Sequence, residues 1–315
     1  MKKSLSLLVI LCLTVGLTAC GVQAPPAPDD GRLKIVATDF PAYDFARAVC
    51  GSAGDVSMLL PPGAESHSYE PTPRNILDVQ SCSLFIYVGG ESDAWVDTIL
   101  DSLDTPVETL KMVDCVELLE EEDPAGASGH EHSHDPGQTV DIDEHVWTAP
   151  TNAAEIVEAI ASRAAELDPD NAGTYRANGA AYQAKILELD AAFRSFFAGV
   201  SCRTLVFGDR FPLRYFAEAY GLTCYAAFPG CSTQTEPSAA TIAFLTNTVK
   251  EKGLSTVYYI EFSNHLVADS IAEAAGVQTA LFHSCHNVSK ADLENGATYV
   301  SLMEQNLNTL RKTMK

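Results

Sequence analysis

Between Thr151 and Phe197 the chain carries helical patterning without a strand, and on either side short apolar runs alternate with helical segments. Ala154, Val157, Ile160, Ala161 and Ala164 recur at helical spacing, and after Asp168-Pro169 a second helix is expected from about Asn171 to Phe197. At 1.5 Å per residue that second helix is about 40 Å long, the length of a small domain. A rod is a poor hinge. Before it, strand patterns at Leu33 to Thr38, Val56 to Leu60 and Leu84 to Val88 alternate with helices near Tyr43 to Cys50, Thr72 to Val79 and Trp95 to Leu103. Such βαβα alternation implies a parallel sheet. After it, strands at Thr204 to Phe207, Val257 to Ile260 and Thr279 to Phe282 alternate with helices at Tyr215 to Leu222 and Ala268 to Ala275. The length suits two α/β lobes rather than one.

The N-terminus reads as an address. Lys2 and Lys3 precede the apolar run Leu5 to Val15, too short to span a bilayer, and Leu17-Thr18-Ala19-Cys20 follows with small residues at the junction. Residues 1–19 are expected to be a signal peptide. Leu-Thr-Ala-Cys resembles a bacterial lipobox, which makes Cys20 the expected lipidated N-terminus and residues 20–32, rich in Pro and Ala, a tether holding the body at the extracytoplasmic face of the membrane. The net charge of −22 argues against nucleic-acid binding and attracts cations at long range. Cys50, Cys82, Cys115, Cys202, Cys224, Cys231 and Cys285 remain in the body, an odd number without a CxxC spacing. Cys202 and Cys224, which flank consecutive strand-like runs, are the first pair to test for a disulfide.

Histidines fall where strands and helices are interrupted. His67 sits in Pro61-Pro62-Gly63-Ala64-Glu65-Ser66-His67-Ser68-Tyr69-Glu70-Pro71-Thr72-Pro73, among turn-formers that exclude a helix or a central strand. His145 lies in Asp143-Glu144-His145-Val146-Trp147-Thr148-Ala149-Pro150, just before a helix start, and His283 and His286 follow the last apolar strand. In open α/β sheets ligands collect beyond the carboxyl ends of strands, so these loops mark a binding crevice. A separate tract, Gly129-His130-Glu131-His132-Ser133-His134-Asp135, places His130, His132 and His134 at alternate positions, a composition that suits loose metal capture.

The Gly63 to Pro73 and Asp143 to Pro150 motifs resemble the first two metal-ligand motifs of the zinc- and manganese-binding lipoproteins that serve ABC transporters, with a His-rich insert between them as in the zinc members. The resemblance runs from about Leu33 to the C-terminus. It implies two Rossmann-like lobes joined by one long rigid helix, with a metal site in the cleft between them. The organisation expected is an N-terminal lobe over residues 33–150 with a His-rich loop at 125–138, linking helices over 151–199, and a C-terminal lobe over 200–315. It further implies a monomer that captures a divalent ion and delivers it to an ABC-transporter permease.

One position departs from the pattern. Where the family places a metal-binding His before an Asp, this chain has Gly208-Asp209, followed by a longer Phe211-Pro212-Leu213-Arg214 segment. His283 stands where the family has an Asp, and His286 is within loop reach. The expected ligands are therefore His67, His145, His283 and His286, with Asp209 or Glu261 as alternatives. An imidazole-rich set favours Zn2+, while an entering carboxylate restores Mn2+ or Fe2+. A zinc hydrolase would also use three His, yet neither Glu144 nor Glu70 lies in an HExxH helix, and no enzyme is expected. A surface adhesin or metal-buffering lipoprotein is the other reading that the same fold and anchor permit.

Overall fold

A computed structural model describes residues 31–64, 69–90, 93–121, 142–230 and 236–314. The expected signal peptide, Cys20, His67, the tract holding His130, His132 and His134, and Cys231 lie outside the described residues. Strand β1 (Leu33–Ala37) leads into helix α1 (Phe40–Cys50), whose start is set by Asp39: its Oδ1 accepts the Ala42 amide at 3.2 Å, and Pro41 occupies the first turn. Then come β2 (Gly54–Met58), α2 (Pro73–Gln80, capped by Thr72), β3 (Leu84–Tyr87), α3 (Ala94–Ser102) and β4 (Thr109–Lys111). After the linking helices α4 (Pro150–Leu167) and α5 (Ala172–Ala198), the alternation resumes with β5 (Thr204–Phe211), α6 (Arg214–Tyr220), β6 (Thr223–Pro229) and α7 (Ala239–Glu251). It closes with β7 (Thr256–Tyr259), α8 (Leu266–Ala275), β8 (Gln278–Leu281), α9 (Lys290–Glu294) and α10 (Tyr299–Thr313).

The strands form two parallel sheets, ordered β2-β1-β3-β4 and β6-β5-β7-β8. Each lobe thus places its first strand inside the sheet, with connections leaving to opposite sides, and the crevice beyond that strand's carboxyl end is where loops gather. Helix α4 folds back against α5. A Cβ at Gly179 would lie 2.6 Å from the Ala161 Cβ, so only glycine lets the two helices approach this closely. Helix α5 is rooted in both lobes. Its Tyr182 hydroxyl donates to the buried Asp44 of α1, and its Phe193 ring stands edge-on to Phe216 of α6 at 5.1 Å. The rod expected from periodicity is therefore fixed to both lobes by buried contacts.

Two expectations change. Cys202 and Cys224 are free thiols: the register pairs Leu205 with Cys224, and Cys202 lies three residues before Leu205, in the segment leading into β5. Three strand residues span about 10 Å, beyond the roughly 7 Å that a disulfide tolerates between Cα atoms. Strand β5 also runs four residues past its expected end at Phe207, with a register irregularity between Phe207 and Arg210.

Candidate metal centre

His145 enters the cleft from the turn before α4. It is 1% exposed, and the Asp143 carboxylate holds it twice, accepting from its backbone amide at 2.8 Å and from ring Nδ1 at 3.1 Å. An ionised carboxylate only accepts, so Nδ1 carries the proton and Nε2 the lone pair, the tautomer a metal-binding imidazole needs. Burial draws the His145 pKa down, but Asp143, with Glu144 and Glu121, outweighs it and sets the net direction upward. The turn is braced across the cleft: the Trp147 indole donates to the Ser284 carbonyl at 2.9 Å, and the Tyr215 hydroxyl of α6 donates to the Asp143 carbonyl at 2.9 Å.

The opposing wall is the loop after β8, which splits the two histidines expected there. Cys285 takes a left-handed φ of 62° and buries its side chain, reversing the chain between His283 and His286. His286 turns toward His145, with ring centroids 5.6 Å apart in an edge-to-face arrangement. His283 lines a neighbouring cavity of about 220 Å³ instead, its backbone fixed by Asn306 of α10, which accepts from the His283 amide at 2.7 Å and donates to its carbonyl at 2.8 Å. Burial pushes the Cys285 thiol well above its ordinary pKa, which disfavours the thiolate that a metal requires.

Asp209 and Glu261 serve as loop clamps. Asp209 accepts from the amides of Arg210 at 2.8 Å and Ile260 at 3.2 Å. Glu261 accepts from Ser284 through both the amide and the hydroxyl, each at 2.7 Å, and from the His286 amide at 3.2 Å. The same β8 loop is stitched to the segment that leads toward His67 in sequence: Asn287 donates to the carbonyls of Pro61 at 2.9 Å and Ala64 at 2.8 Å, and the Gly63 amide donates to Val288 O at 2.9 Å. Gly208, by contrast, faces away from the cleft. A Cβ there would meet the Ala268 Cα of α8 at 2.3 Å, so the position admits no side chain.

His145 and His286 face a cavity of about 40 Å³ whose lining also includes Arg210, Gly230, Glu261 and Asn287. That space suits an ion or a water or two. Among the buried acids of the N-terminal lobe, Asp39, Asp93 and Glu144 lie near one another. Burial, then Asp93 and Glu144, raise the Asp39 carboxyl well above the usual range. Among the described residues no three His, Cys, Asp or Glu side chains are already closed to metal-binding distance. Two further roles belong to acids that were not among the expected ligands: Asp143, two residues before His145, orients its ring, and Asp39, which caps α1, lies beside His286.

Comparison with known proteins places this arrangement. Residues 35–313 match the family described as the zinc-uptake complex component A, periplasmic. The chain belongs to this family. The zinc-binding lipoprotein AdcA of Streptococcus pneumoniae is 34% identical over 320 residues, covering 99% of this chain and 61% of the relative, so the chain spans about three fifths of that protein. The high-affinity zinc uptake system protein ZnuA of Bacillus subtilis is 31% identical over 321 residues, covering 99% of this chain and 98% of the relative. Among solved structures, the Zn(II)-bound ZnuA-like domain of S. pneumoniae AdcA superposes with a TM-score of 0.74 at 32% identity, covering 90% of this chain and 99% of the other. The metal-dependent lipoprotein YcdH of B. subtilis gives 0.75 at 28% identity, covering 90% and 99%. Within this zinc-uptake family the present chain keeps the two-lobed α/β fold and carries Gly208 where the motif resemblance placed a His.

Proposed function

We propose that the protein captures one zinc ion outside the cytoplasm and passes it to an ABC-transporter permease. The observation that carries this reading is the meeting of His145 and His286 across an ion-sized cavity, with Asp143 holding the His145 tautomer that leaves Nε2 as donor. Imidazole donors in a small buried site favour zinc over the oxygen-preferring manganese and iron. His67 supplies a further imidazole, and His283 stays outside the set. The tract at His130, His132 and His134 is an accessory capture site of lower affinity. Cys20 carries the lipid anchor, which keeps the protein at the membrane that holds the permease. Among the described residues no helix is long and apolar enough to cross a membrane. Binding and release, rather than catalysis, are the activity.

Metal analysis and chelator competition on the purified protein test the reading. One tight zinc per chain is expected, with His145→Ala and His286→Ala each weakening it by more than the roughly 10- to 100-fold that follows loss of an outer-sphere partner. Parental affinity in both variants would remove zinc from this cleft.

A further inference from the structure

Asp39 lies two residues past the end of β1, an interior strand of the N-terminal sheet, and its role as helix cap uses one oxygen. Oδ1 accepts the Ala42 amide at 3.2 Å, whereas Oδ2, in a residue 3% exposed, reaches no hydrogen-bond donor. Among the described residues no lysine or arginine pairs with it. Its neighbour on the opposite wall is the imidazole of His286, whose Nε2 stands 3.9 Å from Oδ2. That separation exceeds the roughly 3.2 Å limit of a good hydrogen bond. It is close to the distance of about 3.3 Å that separates two atoms bound to one tetrahedral zinc at 2.0–2.1 Å.

A carboxylate oxygen buried without a donor costs free energy that a cation recovers. The other acids of the cleft differ in this respect, since Asp143, Asp209 and Glu261 accept hydrogen bonds from the surrounding loops. The two chain segments that hold Asp39 and His286 already touch: the Phe40 amide lies 3.4 Å from the His286 carbonyl. An ion between Asp39 and His286 would tie the first strand end of one lobe to the last strand end of the other.

We propose that Asp39 is a direct ligand of the captured cation, binding through Oδ2 beside His286, so that the site draws a carboxylate from the N-terminal lobe. This rests on the reading of the cleft as a zinc site. It assigns to Asp39 the oxygen donor for which Asp209 and Glu261 were the sequence candidates.

The test compares the full chain with Asp39→Asn, Asp39→Ser and His286→Ala. Asn keeps an acceptor for the helix cap, and Ser is a good capping residue without a carboxylate. Zinc affinity is read by chelator competition, the ligand set by the visible spectrum of the Co2+-loaded protein, and folding by thermal melting of the metal-free form. Both Asp39 variants should fold, bind zinc more than about 100-fold more weakly and show altered cobalt bands. Affinity within threefold of the parent in either folded variant overturns the proposal. So does weaker binding with unchanged cobalt bands, which makes Asp39 a positioning residue acting through His286. If His286→Ala itself binds at parental affinity, the cleft reading fails first; if His286→Ala loses zinc while the Asp39 variants keep it, the Asp39 assignment alone fails.

Discussion

The two lobes share one strand order and use it differently. In the N-terminal lobe β1 and β2 are five residues each, and the short turn after β1 places Asp39 beside the cleft; in the C-terminal lobe β5 continues to Phe211 and carries Gly208 into the packing against α8. The acids follow the same division. Asp209 and Glu261 are engaged by amides and a hydroxyl of their own lobe, whereas Asp39 keeps a buried oxygen without a donor. Topology fixes where a crevice lies, and the point at which each strand stops fixes which lobe can fill it with ligands.

Restoring a side chain at Gly208 is the strongest challenge to this contrast. If the C-terminal lobe had merely lost an imidazole, Gly208→His would return it; if the strand has been rebuilt, the new Cβ meets the α8 backbone. Ala268 Cα, N and Cβ lie 2.3, 2.6 and 2.7 Å from the Cβ position, and a helix backbone cannot give by that much. Gly208→His, and Gly208→Ala with it, should destabilise the metal-free protein by about 3 kcal/mol or more, the upper end for overpacking, without tightening zinc binding. Urea melts in chelator check this. A Gly208→His protein of parental stability and higher zinc affinity would show that the lobes differ by one residue alone.

The buried acids allow a sharper comparison. Asp93 accepts the amides of Val88 at 2.7 Å and Gly89 at 3.2 Å, yet burial, with Glu144 adding, raises its pKa from 3.8 to about 7. The folded protein therefore binds a proton that the unfolded chain releases between about pH 4 and pH 7, so stability falls as pH rises through that window and levels off above it. Between pH 8 and pH 5.5 the metal-free parent should gain about 2 kcal/mol from this group. Asp93→Asn, whose amide oxygen accepts the same two N–H groups, should lose that part of the slope. Denaturant midpoints at the two pH values measure it; an unchanged slope would mean that Asp93 is not the group that titrates.

Much of this was legible because local chemistry agreed with the final packing. The strand and helix alternation and the rod of α5 are written in short stretches, and tertiary contacts reinforce them. The three-residue β4 was not legible, since so short a run carries little period. The end of β5 was missed because Gly208 reads as a break in sequence while the fold uses it for contact with Ala268. At the site, His145 was visible as a loop histidine, but the pairing of His286 with it depends on the left-handed Cys285 and on Asn306, which lies on α10 far along the chain. Asp39 was not among the sequence candidates, because a buried oxygen without a donor is a property of the folded cleft.

The finest division lies within one loop, between His283 and His286. They are three residues apart, yet the turn at Cys285 sends one to the shared cleft and the other to a cavity of its own lobe. The side chain of His283 can therefore be removed without touching the ion-sized cavity, and its backbone bonds to Asn306, which hold the loop, do not involve the ring. His283→Ala should change zinc affinity by less than about threefold and stability by no more than about 1 kcal/mol, as expected for a partly exposed side chain that anchors nothing. Chelator competition on His283→Ala beside His286→Ala measures the ratio directly. Equal losses in the two variants would require the loop to rotate on metal binding and bring His283 into the cleft, making Cys285 a pivot rather than a fixed turn.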